Sequence, residues 1–238
     1  MTYSPPGDMR VGVVIPAAGV GRRMGGCRKP FLALRGEPLI QHSLRSFLTH
    51  PSVTALRVAL SPEDASDCPA WLRDLDPRLA VVAGGDNRAD SVRAALEALP
   101  DVDVVLVHDA ARPLVTRAII DRCIGAVGTG IGAVAGWPAS DTLKEVDDDL
   151  RVLATPDRSR IWHAQTPQAF PAELLRHAYA AWDGREATDD GVLVEMAGGT
   201  VVMVEGSAIN LKVTRPEDIA VAEAFLDMYE PARSVRGV

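Results

Sequence analysis

The chain has 238 residues, 47% of them hydrophobic and 24% charged, and a net charge of −7. That length can bury a substantial α/β core, the acidic balance argues against a nucleic-acid surface, and no apolar run reaches the ~18 residues of a membrane span. Residues Met1 to Asp8 lack both the apolar stretch of a signal peptide and the Arg-rich helix of a transit peptide, so a cytoplasmic location is expected. Cys27, Cys68 and Cys123 are odd in number and far apart, as reduced thiols are. None of His42, His50, His108, His163 and His177 has zinc-like spacing to another ligand, so no structural metal is expected.

The first predicted element is a buried strand over Val11–Ile15, ending at Pro16 and opening into Ala17-Ala-Gly-Val-Gly-Arg-Arg-Met24, with Lys29 close behind. Small residues let backbone N–H groups approach an anion, and Arg22, Arg23 and Lys29 bring charge to the same place, which suits a nucleoside triphosphate. Neither common nucleotide loop fits. Met24 stands where a dinucleotide fingerprint needs its third glycine, and Cys27-Arg28 stand where a Walker loop needs Lys and Ser/Thr. An ordinary strand-to-helix turn with surface arginines is the plain alternative.

A helix over Pro38–Thr49, strands over Thr54–Leu60 and Leu79–Ala83, and a helix over Arg88–Leu99 follow. Between the last two lies Gly84-Gly-Asp-Asn-Arg-Ala-Asp-Ser91, where Asp86 and Ser91 offer an acceptor and a hydroxyl to a base or ribose; a plain turn with an Asp or Asn helix cap reads equally well. A strand over Val104–Val107 leads to His108-Asp-Ala-Ala-Arg-Pro113. There Asp109 could meet Mg²⁺ and Arg112 a phosphate, or the two could form an internal ion pair.

Next come a helix over Thr116–Val127, which Thr116 can cap, and a strand over Ile131–Ala135. Residues 138–160 break the pattern: two extended stretches flank the acidic turn Asp147-Asp-Asp149, which reads as an ordered β-arm or as a loose excursion. Helices over Ala172–Ala181 and Asp189–Ala197, a strand near Thr200–Val204 and a helix over Pro216–Met228 complete the chain, the last opening on a capping box at Thr214-Arg-Pro-Glu217. Alternation of this kind predicts one domain over 1–238: a Rossmann-like, mostly parallel sheet with helices on both faces and a protruding arm suited to a homodimer. Lysine is scarce against 22 arginines, leaving only Lys29, Lys144 and Lys212.

Taken together, Pro16-Ala-Ala-Gly-x-Gly-x-Arg-Met24, Gly84-Gly-Asp-x-Arg-x-Asp-Ser91, His108-Asp-Ala-Ala-Arg-Pro113, Asp141-Thr-x-Lys144, Trp162-His-Ala-x-Thr-Pro-Gln168, Thr188-Asp189 and Asn210-x-Lys-Val-Thr-x-Pro-Glu-Asp218 resemble the 2-C-methyl-D-erythritol 4-phosphate cytidylyltransferases. The resemblance implies transfer of CMP from CTP to the alcohol phosphate, with Mg²⁺ and no general base, so that His108 and His163 are structural. It implies Arg23, Lys29 and Lys212 as catalytic residues, and Ala17, Ala18, Gly19, Gly85, Asp86, Ser91 and Ala110 around the nucleotide. Asp109, Arg112, Thr166 and Thr188 are implied around the alcohol phosphate, with Thr142 and Arg158 reaching it from the other subunit's arm and Asp109 meeting the metal. The family usually places Pro before the loop lysine; here Arg28-Lys29-Pro30 stands instead, and Pro30 is expected to hold Lys29 extended. A cytidylyltransferase for ribitol 5-phosphate, or a silent nucleotide-binding protein on the same fold, are the alternatives.

Overall fold

In the computed structural model, which describes residues 9–19, 28–185 and 187–229, β1 (Val11–Pro16) runs through the middle of a seven-stranded sheet. On one side lie β4 (Val53–Leu60) and β5 (Leu79–Ala83); on the other lie β6 (Val104–Val107), β10 (Trp162–Pro171), β7 (Ile131–Pro138) and β11 (Thr200–Glu205). Every pairing in this sheet is parallel except those of β10, which runs antiparallel to both β6 and β7. Strands covered on both faces need continuous apolar sequence, and Val11 to Ile15 is buried throughout.

Alternation along the strands divides the core into two layers. Val13 and Ile15 pack on Ile40, Leu44 and Phe47 of α1 (Leu39–Leu48) and on Ile119, Ile120 and Ile124 of α5 (Arg117–Ala126). Val14, Val105 and Val107 meet the other layer: Val92 and Leu96 of α4 (Arg88–Glu97), Leu175 of α6 (Ala172–Ala181) and Val194 of α7 (Asp190–Met196). Each fully buried side chain of this size contributes about 1.5–3 kcal/mol. From β1 the chain moves outward through β4 and β5, then crosses to β6 on the opposite side. The crevice beyond the carboxyl ends of β1 and β6 is therefore the switch point where such sheets take ligands.

The structure corrects several expectations. β10 is a ten-residue strand that the sequence does not announce: Gln165, Thr166, Pro167 and Gln168 break its apolar pattern, and a register shift falls between Ala164 and Gln168. Its polar side chains are buried but bonded, Gln168 to Asp189 and Gly191, and Gln165 to Ser207. The short α2 (Pro62–Ser66) and α3 (Ala70–Arg73) and the ribbon of β2 (Ala33–Leu34) and β3 (Glu37–Pro38) are likewise additions. Pro38 ends β3 and precedes α1 instead of lying in its first turn, and Thr116 occupies the cap position of α5 without a side-chain bond. Before α8 (Glu217–Tyr229), the Asp218 carboxylate accepts the N–H groups of Thr214 and Arg215 and the Thr214 hydroxyl, so the aspartate does the capping.

The arm is ordered but slighter than its sequence suggests. β8 (Glu145–Val146) and β9 (Val152–Ala154) pair antiparallel around a turn in which Asp147 accepts the N–H groups of Asp149 and Arg151. Val146, Leu150, Val152 and Leu153 are exposed on it.

Candidate active site

At the switch point opens a cavity of about 890 Å³, within the usual range for small-molecule sites. Ala17, Ala18 and Gly19 line it from the end of β1, and Asp109 and Ala110 from the end of β6. Gly85 and Asp86 come from the β5–α4 turn, Ser91 from the first turn of α4, and Lys212 from the segment before α8. The turns are drawn together by backbone bonds, Ala17 N–H to Ala59 O (2.7 Å) and Gly84 N–H to Leu60 O (2.6 Å). That closeness explains the paired glycines. A Cβ on Gly84 would stand 2.7 Å from the Ala18 Cβ, and one on Gly85 would stand 2.3 Å from the Asp90 Cβ. The Ser91 hydroxyl is buried in the same turn, accepting the Gly85 N–H and donating to Asn87 O, while Asn87 caps α4. The helix-cap reading of this turn therefore holds, with Asn87 as the cap, and the same turn faces the cavity.

Charge in the cavity converges on Asp109. Its Oδ2 lies 2.8 Å from Lys212 Nζ and 3.8 Å from Arg112 Nε, and its Oδ1 accepts from Arg88 Nε at 3.1 Å. Burial by itself would raise the Asp109 carboxyl, but the charges of Arg88 and Lys212 outweigh it and hold the group well below the usual carboxylate range. Arg88 also donates through Nη2 to the fully buried Asp190 at 2.8 Å, and Tyr179 donates to the other Asp190 oxygen at 2.6 Å. Burial, then the Asp190 charge, pushes the Tyr179 phenol up, so it stays a donor. His108 is buried behind this group. Its Nδ1 accepts from the Thr166 hydroxyl (3.0 Å), its Nε2 donates to Arg112 O (3.1 Å), and Thr166 in turn accepts the Asp109 N–H (3.0 Å). Three cations, Arg88, Arg112 and Lys212, thus surround one ionised carboxylate, in a cavity whose described lining also carries Glu63 and Asp86.

A family model described as 2-C-methyl-D-erythritol 4-phosphate cytidylyltransferase matches residues 11–228. The chain belongs to that family. Membership makes it an enzyme, a nucleotidyltransferase of isoprenoid precursor biosynthesis. It is 44% identical over 230 residues to a 2-C-methyl-D-erythritol 4-phosphate cytidylyltransferase of Syntrophotalea carbinolica, covering 92% of this chain and 97% of that protein. It is 43% identical over 228 residues to the protein of that name in Aeromonas hydrophila, covering 92% and 91%. Among solved structures, the 2-C-methyl-D-erythritol 4-phosphate cytidylyltransferase of Thermus thermophilus matches with a TM-score of 0.76 at 36% identity, covering 91% of this chain and 98% of that one. The 4-diphosphocytidyl-2C-methyl-D-erythritol synthase of Anaerococcus prevotii matches with a TM-score of 0.81 at 28% identity, covering 92% and 97%.

For this cytidylyltransferase-family chain, the residues expected around the nucleotide all line the cavity, and Lys212 of the catalytic set lines it too. Arg23 lies outside the described residues, as does the side chain of Lys29. The Lys29 backbone is not extended as Pro30 led one to expect: Lys29–Phe31 form a 3-10 turn closed by Phe31 N–H to Arg28 O. Arg28 itself is exposed and pairs with Asp64 of α2 at 2.9 Å. Arg112 and Thr166 stand behind the cavity wall, Arg112 donating to Asn210 O and Ala164 O. The proposed internal Asp109–Arg112 pair is the longest of the three contacts Asp109 makes with cations.

Three further expected residues are not drawn into the cavity within one subunit. Thr188 is exposed just before Asp189, the cap of α7; Thr142 and Arg158 are exposed at the base of the arm, Arg158 donating to Ser140 O. His108 is structural as expected, whereas His163 is exposed on β10. Sequence reasoning gave no role to Arg88, Asp190, Tyr179 or Asn210. Arg88 was within sight, standing in the second glycine motif; Asp190 carried no signal of its own inside the helix expected over Asp189–Ala197. Asn210 is fully buried, donating to Thr166 O and Gln165 Oε1 beside Arg112.

Proposed function

We propose that the protein transfers the cytidylyl group of CTP to 2-C-methyl-D-erythritol 4-phosphate. An oxygen of the alcohol phosphate attacks the α-phosphorus, a new P–O bond forms, the bond from that phosphorus to the β-phosphate oxygen breaks, and pyrophosphate leaves. The observation that carries this reading is Lys212 held 2.8 Å from Asp109 in the wall of a cavity that the two glycine turns also line. Such a transfer asks little covalent work of a protein; it needs anions aligned in line and their charge neutralised. The attacking oxygen is already ionised near neutral pH, so no base is required.

In this reading the backbones of Ala17, Ala18 and Gly19, with Gly85, Asp86, Ser91 and Ala110, hold the nucleotide. Arg23 and Lys29 meet the triphosphate, and Lys212 turns from Asp109 onto the α-phosphate. Asp109, Arg112, Thr166 and Thr188 form the alcohol-phosphate subsite. The partner's Thr142 and the partner's Arg158 complete it in a homodimer, which the exposed apolar residues of the arm support.

Asp109 would hold Mg²⁺ beside the triphosphate. Among the described residues no group of three His, Cys, Asp or Glu could cage a metal alone. The donor set nevertheless fits. A carboxylate offers about four lone-pair sites, and Arg88 and Lys212 occupy one on each Asp109 oxygen. Mg²⁺ takes one or two carboxylates and fills its shell with phosphate oxygens and water. When bound, the ion supplies charge neutralisation at the phosphates; Asp109 supplies a fixed anchor for it.

Pyrophosphate release from CTP, measured with methylerythritol phosphate against ribitol 5-phosphate, tests the reading. Turnover with the first substrate is expected; preference for the second, or no turnover with either, would overturn it. The family match favours neither the ribitol alternative nor a silent binding protein. Chelation of divalent metal should abolish release and added Mg²⁺ restore it, whereas full activity in chelator would remove the metal assignment.

A further inference from the structure

We infer that Arg88 is a positioning residue that locks the Asp109 side of the alcohol-phosphate subsite to the first turn of α7, with Asp190 as its anchor. The inference rests on the assignment of Asp109 and Thr188 to that subsite. Arg88 opens α4, directly after the Asn87 cap, so its backbone is fixed at the cavity rim. Its guanidinium reaches in two directions, Nε to Asp109 Oδ1 at 3.1 Å and Nη2 to Asp190 Oδ2 at 2.8 Å. Among the described residues it is the one side chain bonded to both carboxylates. A planar fork can hold two acids at a set angle, whereas an ammonium is a point charge.

Packing alone does not account for this arrangement. Pinning α4 to α7 needs only the Asp190 contact, yet the other arm of the fork goes to a carboxylate in the cavity wall that Lys212 also contacts. Asp190 is fully buried, and its oxygens are taken by Arg88 and by Tyr179. A buried carboxylate with both oxygens satisfied cannot drift, which makes it an anchor. The same turn of α7 is tied to β10 as well: Gln168 donates to Asp189 and accepts the Gly191 N–H. Thr166, two residues before Gln168 on that strand, accepts the Asp109 N–H. Asp109 is thus held by its backbone from β10 and by its carboxylate from α7, through Arg88. Thr188 stands directly before the Asp189 cap of that turn.

The test uses Arg88→Lys, Asp190→Asn and, as a control, Val194→Ala, which removes buried volume from α7 without touching the fork. Steady-state kinetics on the full chain should show KM for methylerythritol phosphate raised roughly tenfold in Arg88→Lys and less in Asp190→Asn, with a clearly smaller rise in KM for CTP, whose Mg²⁺ Asp109 is proposed to anchor. Val194→Ala should lower the unfolding temperature and leave both KM values in place. A second readout needs no turnover: the carboxyl ¹³C signal of Asp109 at neutral pH should move in Arg88→Lys and Asp190→Asn but not in Val194→Ala. If the parent proves inactive with this alcohol, the function assignment fails while the carbon signal still judges the lock. A folded Arg88→Lys protein with unchanged alcohol-phosphate KM and an unmoved Asp109 signal overturns the inference, as does a matching rise in KM for CTP. Should Arg88→Lys not fold, Asp190→Asn decides by the same two measurements.

Discussion

His108 is fully buried behind the cavity, where it sets how Asp109 and Arg112 present themselves. It accepts from Thr166, whose hydroxyl oxygen holds the Asp109 N–H, and it donates to the Arg112 carbonyl. That wiring requires a neutral ring with its proton on Nε2. Burial pushes the imidazole down to about 4, from 6.5 when free, since the charged form would lose its water. Between those values the unfolded chain binds the extra proton and the folded one does not. The contribution of His108 is therefore fully present above about pH 6.5 and is lost as pH falls toward 4, by up to about 3 kcal/mol. Denaturant unfolding followed from pH 7 to pH 4 should show this loss in the parent and a flatter profile in His108→Gln; equal slopes would mean that another group dominates. Lys212 is a different case, because its charge is proposed to act only as the transition state forms. Lys212→Ala should lower kcat by about 10²–10³ while KM for CTP moves little. Near-normal turnover would return Lys212 to the role of an ion-pair partner for Asp109.

Helix α1 shows how the core reaches the site. Phe47 is fully buried in the layer beneath β1, and its ring centroid lies 4.9 Å from that of His108. Phe47→Ala should cost about 3–5 kcal/mol in denaturant unfolding. It should also loosen the His108 relay, so kcat should fall even where the protein remains folded; a stable variant with parental kcat would separate packing from the site. The elements most legible in the sequence are those whose burial is apolar and continuous, such as β1 and β6, whose limits are matched within a residue. β10 was not legible because its burial is achieved with amides and a hydroxyl that find partners far along the chain. The site divides in the same way. Glycine turns and His108-Asp-Ala-Ala-Arg112 announce themselves as local strings, whereas Arg88 and Asp190 stand 102 positions apart and meet only once the sheet has brought α4 beside α7. Local sequence records what a segment does to itself; a carboxylate anchored from across the fold leaves no local mark.

At the scale of the whole molecule the chain is acidic, yet Arg88, Arg112 and Lys212 converge around a single aspartate at the sheet's switch point. Cations gathered there offer a polyanion local partners although Glu63 and Asp86 share the lining, while the net negative charge keeps the remaining surface from binding polyanions indiscriminately. One part of the chain stands apart from this arrangement. The arm pairs two strands of two and three residues and exposes Leu150 and Leu153 by 79% and 63%, more than a hairpin stabilises alone. A second subunit is the proposed cover, and the exposed Thr142 and Arg158 at the arm's base are proposed to enter the partner's cavity. Arg158→Ala should then raise KM for the alcohol phosphate and leave KM for CTP unchanged. Mixing makes the sharper test. If each cavity uses its own Lys212 and the other subunit's Arg158, a dimer of one Arg158→Ala chain and one Lys212→Ala chain has one cavity with neither residue and one with both. Random assortment makes half the dimers hybrid, so co-refolded chains should reach about a quarter of parental activity although each variant alone is nearly inactive under low alcohol phosphate. Were the arm to serve its own subunit, every cavity in the mixture would lack one residue and no activity would return.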